Sequence, residues 1–177
     1  MLPALRAVLL DLDGTLIDRD AALRACLRHH GVPGEALEQL PRFVTPNPAI
    51  SASLMRLTQA GLRLALISNG GPTQRLKLAA ARIDPAHFEI IHISGEQAHA
   101  KPDRAVFKST LSALDLPASA TLMIGDSAND DILGAQTLDI PTLWISHNRR
   151  YPANRVAPTL IAPDFPSAAA IVLAKLA

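Results

Sequence analysis

Four short clusters hold the residues whose types and spacing suit chemistry: Asp11-Leu12-Asp13-Gly14-Thr15, Ser68-Asn69-Gly70, Lys101-Pro102-Asp103 and Gly125-Asp126-Ser127-Ala128-Asn129-Asp130-Asp131. Together they supply carboxylates, a hydroxyl, an ammonium and loop backbone N–H groups. Phosphoryl transfer needs such a set. One carboxylate can act as a nucleophile and split hydrolysis into transfer to the protein and attack by water. A second carboxyl can protonate the leaving oxygen and later deprotonate the water. Negative charge spreads over the equatorial oxygens in the transition state, so cations and donors must converge there. Further carboxylates are hard ligands for Mg²⁺, which accepts one or two of them and keeps most of its waters.

The clusters sit where strands should end. Ala7–Leu12, Leu62–Ser68, Thr121–Gly125 and Thr142–Ser146 are short Val/Leu/Ile-rich runs, as in parallel strands buried on both faces. Glu89–Ser94 predicts a further strand and Pro158–Ala162 an edge strand. Helical patterns cover Pro48–Ala60, Thr73–Arg82, Asp103–Leu114, Asn129–Leu138 and Pro166–Leu176, with Ser51 or Asn47 as candidate caps of the first. This alternation predicts an α/β fold, a parallel sheet with helices on both faces. Ligands bind such sheets at the carboxyl ends of the strands, where the four clusters fall. The segment Asp18–Thr45 breaks the alternation with a helix at Asp20–His30, closed by Gly31, and a short one at Gly34–Leu40. It reads as a small insert over the strand ends.

Taken in order and spacing, the clusters resemble the four motifs of the haloacid dehalogenase superfamily, and the resemblance runs from Ala7 through nearly the whole chain. It implies a Rossmann-like core at 1–17 and 46–177, a helical cap insert at about 18–45, and one domain over 1–177. It implies Asp11 as nucleophile, Asp13 as acid/base, Ser68 as phosphate-binding hydroxyl, Lys101 as charge neutraliser and Asp126 as Mg²⁺ ligand. The carboxylate of Asp11 and the backbone carbonyl of Asp13 complete the implied metal set. Asn69 and Gly70 are expected to offer backbone N–H groups to the substrate. A further acid follows Asp126 in the family. Counting back from Gly134-Ala135 favours Asp131, whereas matching the Gly-Asp-Ser-x-Asn-Asp string favours Asp130; both stay candidates, with a preference for Asp131.

Plainer readings exist for each piece. Asp-Gly is a common turn signal, Ser-Asn-Gly is ordinary loop composition, and a lysine before proline is commonly solvated. Carboxylates in a first helical turn complement the helix dipole, which accounts for one of Asp130 and Asp131. The coincidence of all four clusters argues against these readings together. The six histidines show no zinc spacing, Trp144 reads as core, and Arg149-Arg150 reads as a solvated loop, the alternative being contact with an anionic substrate if that loop reaches the site. Asp139 stands where relatives commonly have glycine, a departure expected to affect stability alone.

Composition narrows the class. The 177 residues carry a net charge of +1 and 3% aromatics, which argues against nucleic acid and against an anionic membrane. Hydrophobic residues at 49% and charged residues at 19% fit a globular enzyme. Cys26 is the single cysteine, no apolar run reaches membrane length, and the N-terminal run leads straight into Asp11, so a cytoplasmic location is expected.

Within the superfamily, the branch that cleaves carbon–halogen bonds lacks an acid at the position of Asp13, so the resemblance implies a phosphatase. Ile67-Ser68-Asn69-Gly70, Gln74, Lys77-Leu78, Ile93–Glu96 and Lys101-Pro102 resemble a subgroup containing nucleoside 5′-monophosphatases and sugar phosphatases. The expected substrate is a small-molecule phosphate ester. Relatives usually carry a longer cap, and the short insert implies an open site for a bulkier phosphorylated molecule, or a cap completed by another subunit of a homo-oligomer. The alternatives are a phosphotransferase or mutase on the same core, which the small cap disfavours, and a non-catalytic binding domain, which the intact carboxylates disfavour.

Overall fold

A computed structural model describes residues 5–30 and 38–176. Six parallel strands form one sheet: β1 Ala7–Leu10, β2 Arg63–Ser68, β3 Ile90–Ile93, β4 Thr121–Gly125, β5 Thr142–Ile145 and β6 Leu160–Ala162. Their order is β3-β2-β1-β4-β5-β6. The chain therefore winds outward from β1 in one direction, returns to the centre, and winds outward in the other. Alternate residues of β1 feed two cores: Val8 and Leu10 pack in one buried cluster, Ala7 and Leu9 in the other. Leu64 with Leu66, and Ala65 with Ile67, repeat that division on β2. Burial on both faces explains why these strands read as continuous apolar runs.

Helices flank the sheet: α1 Arg19–His30, α2 Pro48–Gln59, α3 Thr73–Ala80, α4 Arg104–Leu114, α5 Gly134–Gln136 and α6 Phe165–Leu176. Asn47 is the cap of α2, its side chain accepting from the Ala49 N–H at 3.0 Å, and Asp103 caps α4 in the same way. The insert does not stand apart. Ala22 and Cys26 of α1, with Leu40 and Val44 beyond it, belong to the same buried cluster as Val8 and Leu10. The short helix expected at Gly34–Leu40 lies mostly outside the described residues, as does Gly31. Leu40–Phe43 forms a 3₁₀ turn.

Two elements differ from expectation in ways that matter for chemistry. β1 stops at Leu10, two residues early, because the chain turns at Asp11–Ile17. There the N–H groups of Leu16 and Ile17 both bond the Leu12 carbonyl, and Gly14 takes φ +85°. The helix expected over Asn129–Leu138 is instead a π-helical segment, Ala128–Leu133, that runs into α5. Its wider turn is visible in the Ile132 N–H bonding the Ser127 carbonyl five residues back.

Register brings the clusters together. Leu10 is level with Leu66 on one side and with Ile124 on the other. Asp11, Ser68 and Asp126 thus leave the sheet at one edge, one or two residues beyond that line.

The ends of the helices carry a separate cost. After α2, α3, α4 and α5 the chain closes with an N–H bonded to a carbonyl five residues back, made by Leu62, Ile83, Leu116 and Ile140. That closure needs a left-handed residue, which is Gly61 in the first case but Arg82, Asp115 and Asp139 in the others. Asp139 (φ 56°) is exposed and sits at the position where glycine is least strained. Asp139→Gly should raise stability by about 0.5–1 kcal/mol, relief of left-handed strain outweighing the added entropy of the unfolded chain. Urea unfolding would register this as a higher midpoint at unchanged slope, with the 2.6 to 3.0 Å hydrogen bonds to Asp11 and Asp126 untouched.

Candidate active site

Lys101 precedes α4 and aims its ammonium across the sheet edge. Its Nζ donates to Asp11 Oδ1 at 2.6 Å and to Asp131 Oδ1 at 2.7 Å, and all three side chains are at least nine-tenths buried. Asn69 fixes the backbone that carries this lysine: its Oδ1 accepts from the Lys101 N–H and its Nδ2 donates to the Lys101 carbonyl. Asp131 is held in turn by the Ser127 N–H, which donates to Oδ2 at 2.9 Å. The π-helical turn allows this fold-back, and Gly125 gives it room, since a Cβ there would lie 2.3 Å from the Asp131 carboxylate. Gly14 does the same for Asp126 at 2.7 Å.

Oxygens of Asp11, Asp126 and Asp131 lie within 4.8 Å of one another. Asp130, the other candidate acid, instead accepts from Asn129 Nδ2 and lies outside that trio. Asp11 Oδ2 is buried without a hydrogen-bond partner. An all-carboxylate set with one orphaned buried oxygen fits a hard divalent cation of the Mg²⁺ type, which takes oxygen ligands. Two buried carboxylates and one ammonium leave an uncompensated negative charge, and Asp126 adds another that is offset by Arg149 Nη2 at 3.0 Å.

These charges shift the titrations. Burial, opposed by Lys101 and reinforced by Asp131, pushes Asp11 from 3.8 up to about 7. Burial likewise raises Asp131, against the pull of Lys101, and raises Asp126, with Asp11 adding to it and Arg149 opposing. For Lys101, burial works to lower the value, but the carboxylates of Asp11 and Asp131 outweigh it and raise it.

A second knot surrounds Asp13. Lys77 Nζ lies 2.9 Å from its Oδ1 and 2.7 Å from its Oδ2, and Gln74 Nε2 donates to Oδ2 at 2.8 Å. Gln74 also donates to Ser68 Oγ at 2.6 Å. Asp11, Asp13, Asn69, Lys101, Asp126 and Asp131 all border one cavity of about 660 Å³, as do Asp18, Arg19, Asp20 and Arg24 of the insert region.

The structure thus brings Asp11, Asp13, Ser68, Asn69, Lys101, Asp126 and Asp131 to one sheet edge. Gly70 departs from its expected part. Its N–H donates to Ser94 Oγ at 3.0 Å and its φ is +148°, so it shapes the turn rather than offering a donor to a ligand. Arg149, expected in a solvated loop, reaches the site, stacking 5.6 Å above the ring of Trp144 and bonding Asp126. Trp144 is buried as expected, and its Nε1 donates to the Asp126 carbonyl at 2.8 Å. His147 borders the cavity and bonds the Gly14 carbonyl. Gln74 and Lys77 carried a signal that sequence reasoning used only for subgroup resemblance. They lie three residues apart on the helix that follows Ser68-Asn69-Gly70, hence on one face of it.

A cation among the three carboxylates competes with protons for them. Each has a folded pKa raised above its unfolded value, so the charged forms cost stability, and that cost grows as pH rises from about 4 to about 7 for Asp11. Added Mg²⁺ should therefore raise the melting temperature more at pH 8 than at pH 5, as followed by differential scanning calorimetry. Equal shifts at both values would remove these carboxylates as its ligands.

Comparisons with known proteins give the chain's family and fold relatives. A family model for hydrolases, described as haloacid dehalogenase-like hydrolase, matches residues 34–139. That stretch contains Ser68, Lys101, Asp126 and Asp131, while Asp11 and Asp13 precede it. A phosphoserine phosphatase of Thermus thermophilus is 33% identical over 118 residues, covering 66% of this chain and 47% of the relative. An (S)-2-haloacid dehalogenase of Pseudomonas sp. strain YL is 30% identical over 131 residues, 71% of this chain and 56% of the relative. The chain thus spans about half the length of these curated relatives. The crystal structure of a HAD phosphatase from Thermococcus onnurineus matches with a TM-score of 0.77 at 20% identity, over 95% of this chain and 98% of that one, a likeness of fold.

Proposed function

Because this chain belongs to the haloacid dehalogenase-like hydrolase family, we propose that it hydrolyses phosphate monoesters through a phosphorylated Asp11. The observation that carries this reading is the convergence of Asp11, Lys101, Asp126 and Asp131, with Asp11 Oδ2 buried and unpartnered beside the cavity. Asp11 Oδ2 attacks the phosphorus while the bond to the leaving oxygen breaks, and Asp13 gives that oxygen its proton. A water then attacks the phosphoaspartate, loses its proton to Asp13 and frees Asp11. Ser68, which accepts from Gln74, keeps its own hydroxyl proton for a phosphoryl oxygen. Lys101 neutralises charge on the same group. Asp11, Asp126, Asp131 and the Asp13 carbonyl would hold Mg²⁺, which supplies charge stabilisation at the transferring phosphoryl group.

The similarity to a dehalogenase favours a second reading, in which Asp11 displaces halide from a 2-haloacid. Asp13 argues against it, since halide departure needs no proton and the carboxyl is nonetheless held at the cavity wall by Lys77 and Gln74. A small phosphorylated metabolite is the substrate class, with nucleotides and sugar phosphates within it. The short insert leaves room for a bulkier ester or for a second subunit over the site.

Assays with p-nitrophenyl phosphate, a panel of phosphorylated metabolites and 2-chloropropionate, each with Mg²⁺, separate the readings. Phosphate release is expected and chloride release is not. Asp11→Asn should abolish turnover, Asp13→Asn should slow alkyl phosphate hydrolysis by about 10²–10⁴, and Asp126→Ala should raise the Mg²⁺ concentration needed. Inactivity of wild type and Asp11→Asn alike across the panel would refute the enzymatic reading in favour of a binding domain.

A further inference from the structure

Asp13 is tethered more firmly than a side chain in a loop need be. It lies within the Asp11–Ile17 turn rather than in a strand, so its carboxyl gains little rigidity from the sheet. Three hydrogen bonds from one helix replace that rigidity: Lys77 to both oxygens, and Gln74 to Oδ2. Lys77 has a side chain only 6% exposed, against 18% for Asp13. A buried ion pair recovers little net stability after both groups lose water, so the pair is a poor device for holding the fold together. It is a good device for fixing an orientation.

The hydrogen-bond inventory assigns the atoms. Asp13 and the Asn69 carbonyl are acceptors, and Gln74 Nε2 faces both, at 2.8 and 3.1 Å, so the amide nitrogen must point into the site. The amide has two hydrogens for these acceptors and Ser68 Oγ, so Ser68 at 2.6 Å and Asp13 at 2.8 Å take them while the Asn69 carbonyl at 3.1 Å shares one; Ser68 accepts there, and its own proton points elsewhere. On Asp13, Oδ2 receives both Lys77 and Gln74, whereas Oδ1 receives Lys77 alone at the longer distance of 2.9 Å. Oδ1 is the oxygen with acceptor capacity to spare. Gly70 guards the arrangement, since a Cβ there would meet Gln74 at 2.8 Å.

We infer that Lys77 and Gln74 are positioning residues that hold the Asp13 carboxyl by Oδ2 and present Oδ1 as the proton-transferring atom, while Gln74 orients Ser68 as a donor. The inference rests on the phosphatase reading above. It assigns α3 a part in the reaction step that depends on the leaving group, a part separate from that of Lys101. Lys101 serves the nucleophile and the metal carboxylates, and the two ammonium groups share no carboxylate.

Leaving-group dependence tests this. The parameter kcat/KM reports the first phosphoryl transfer, which needs a proton donor for an alkyl alkoxide and hardly any for p-nitrophenolate. For Lys77→Met, kcat/KM on glycerol 2-phosphate should fall about 10- to 100-fold, in the lower range of what a positioned acid contributes. On p-nitrophenyl phosphate it should fall less than about threefold, with a burst of nitrophenolate as dephosphorylation slows. Lys77→Arg should recover part of the loss, and Gln74→Leu, which leaves the ion pair intact, should move the ratio the same way. Equal losses on both esters in both variants, or no loss in either, would overturn the inference. Wild type inert toward both esters would instead overturn the phosphatase reading itself.

Discussion

An ammonium buried between two buried carboxylates is the contact on which the rest of this site depends. Removing Lys101, Asp11 and Asp131 from water costs several kcal/mol per ion unless each is paired and hydrogen-bonded. Here the pairing is supplied by segments far apart in sequence, 90 residues between Lys101 and Asp11 and 30 between Lys101 and Asp131. The loops at the carboxyl edge are therefore tied to one another by electrostatics. The sheet beneath fixes only where they start. Asn69 strengthens the tie by binding both backbone groups of Lys101, so a residue expected to face the substrate also holds the lysine in place.

Charge is left over after that pairing, and the surroundings deal with it unequally. Asp131 receives a backbone N–H, Asp126 receives Arg149, and Asp11 keeps one oxygen with no partner. An unpaired buried acceptor is costly, and residues at functional sites are where such costs persist. The two glycines that a Cβ would drive into Asp126 and Asp131 point the same way, because they permit the carboxylates to crowd together. Stability alone would favour spreading them.

Much of this was legible from the amino-acid sequence. The strands could be read because burial on both faces leaves unbroken Val/Leu/Ile runs, and the polar residues that end those runs meet at one edge of the sheet. What escaped was long-range or geometric. The choice of Asp131 over Asp130 depends on a π-helical turn that two different motif counts could not resolve. Gln74 and Lys77 find Asp13 at separations of 61 and 64 residues, beyond any local pattern. Gly70 has an N–H that Ser94, on a different strand end, consumes. Arg149 looked solvated because its partner, Asp126, is brought near only by the pairing of β4 with β5.

Trp144 is the only tryptophan in the chain. Its indole N–H is bonded to the carbonyl of Asp126, its face lies under the Arg149 guanidinium, and Tyr151 meets it edge-on with 5.0 Å between ring centres. The chain consequently carries a single indole, hydrogen-bonded to the backbone of a residue whose carboxylate lines the acidic pocket. Emission from that indole responds to the charge and hydrogen bonding of its immediate neighbours, so occupancy of the acidic pocket can be followed optically without any label or chromogenic ester.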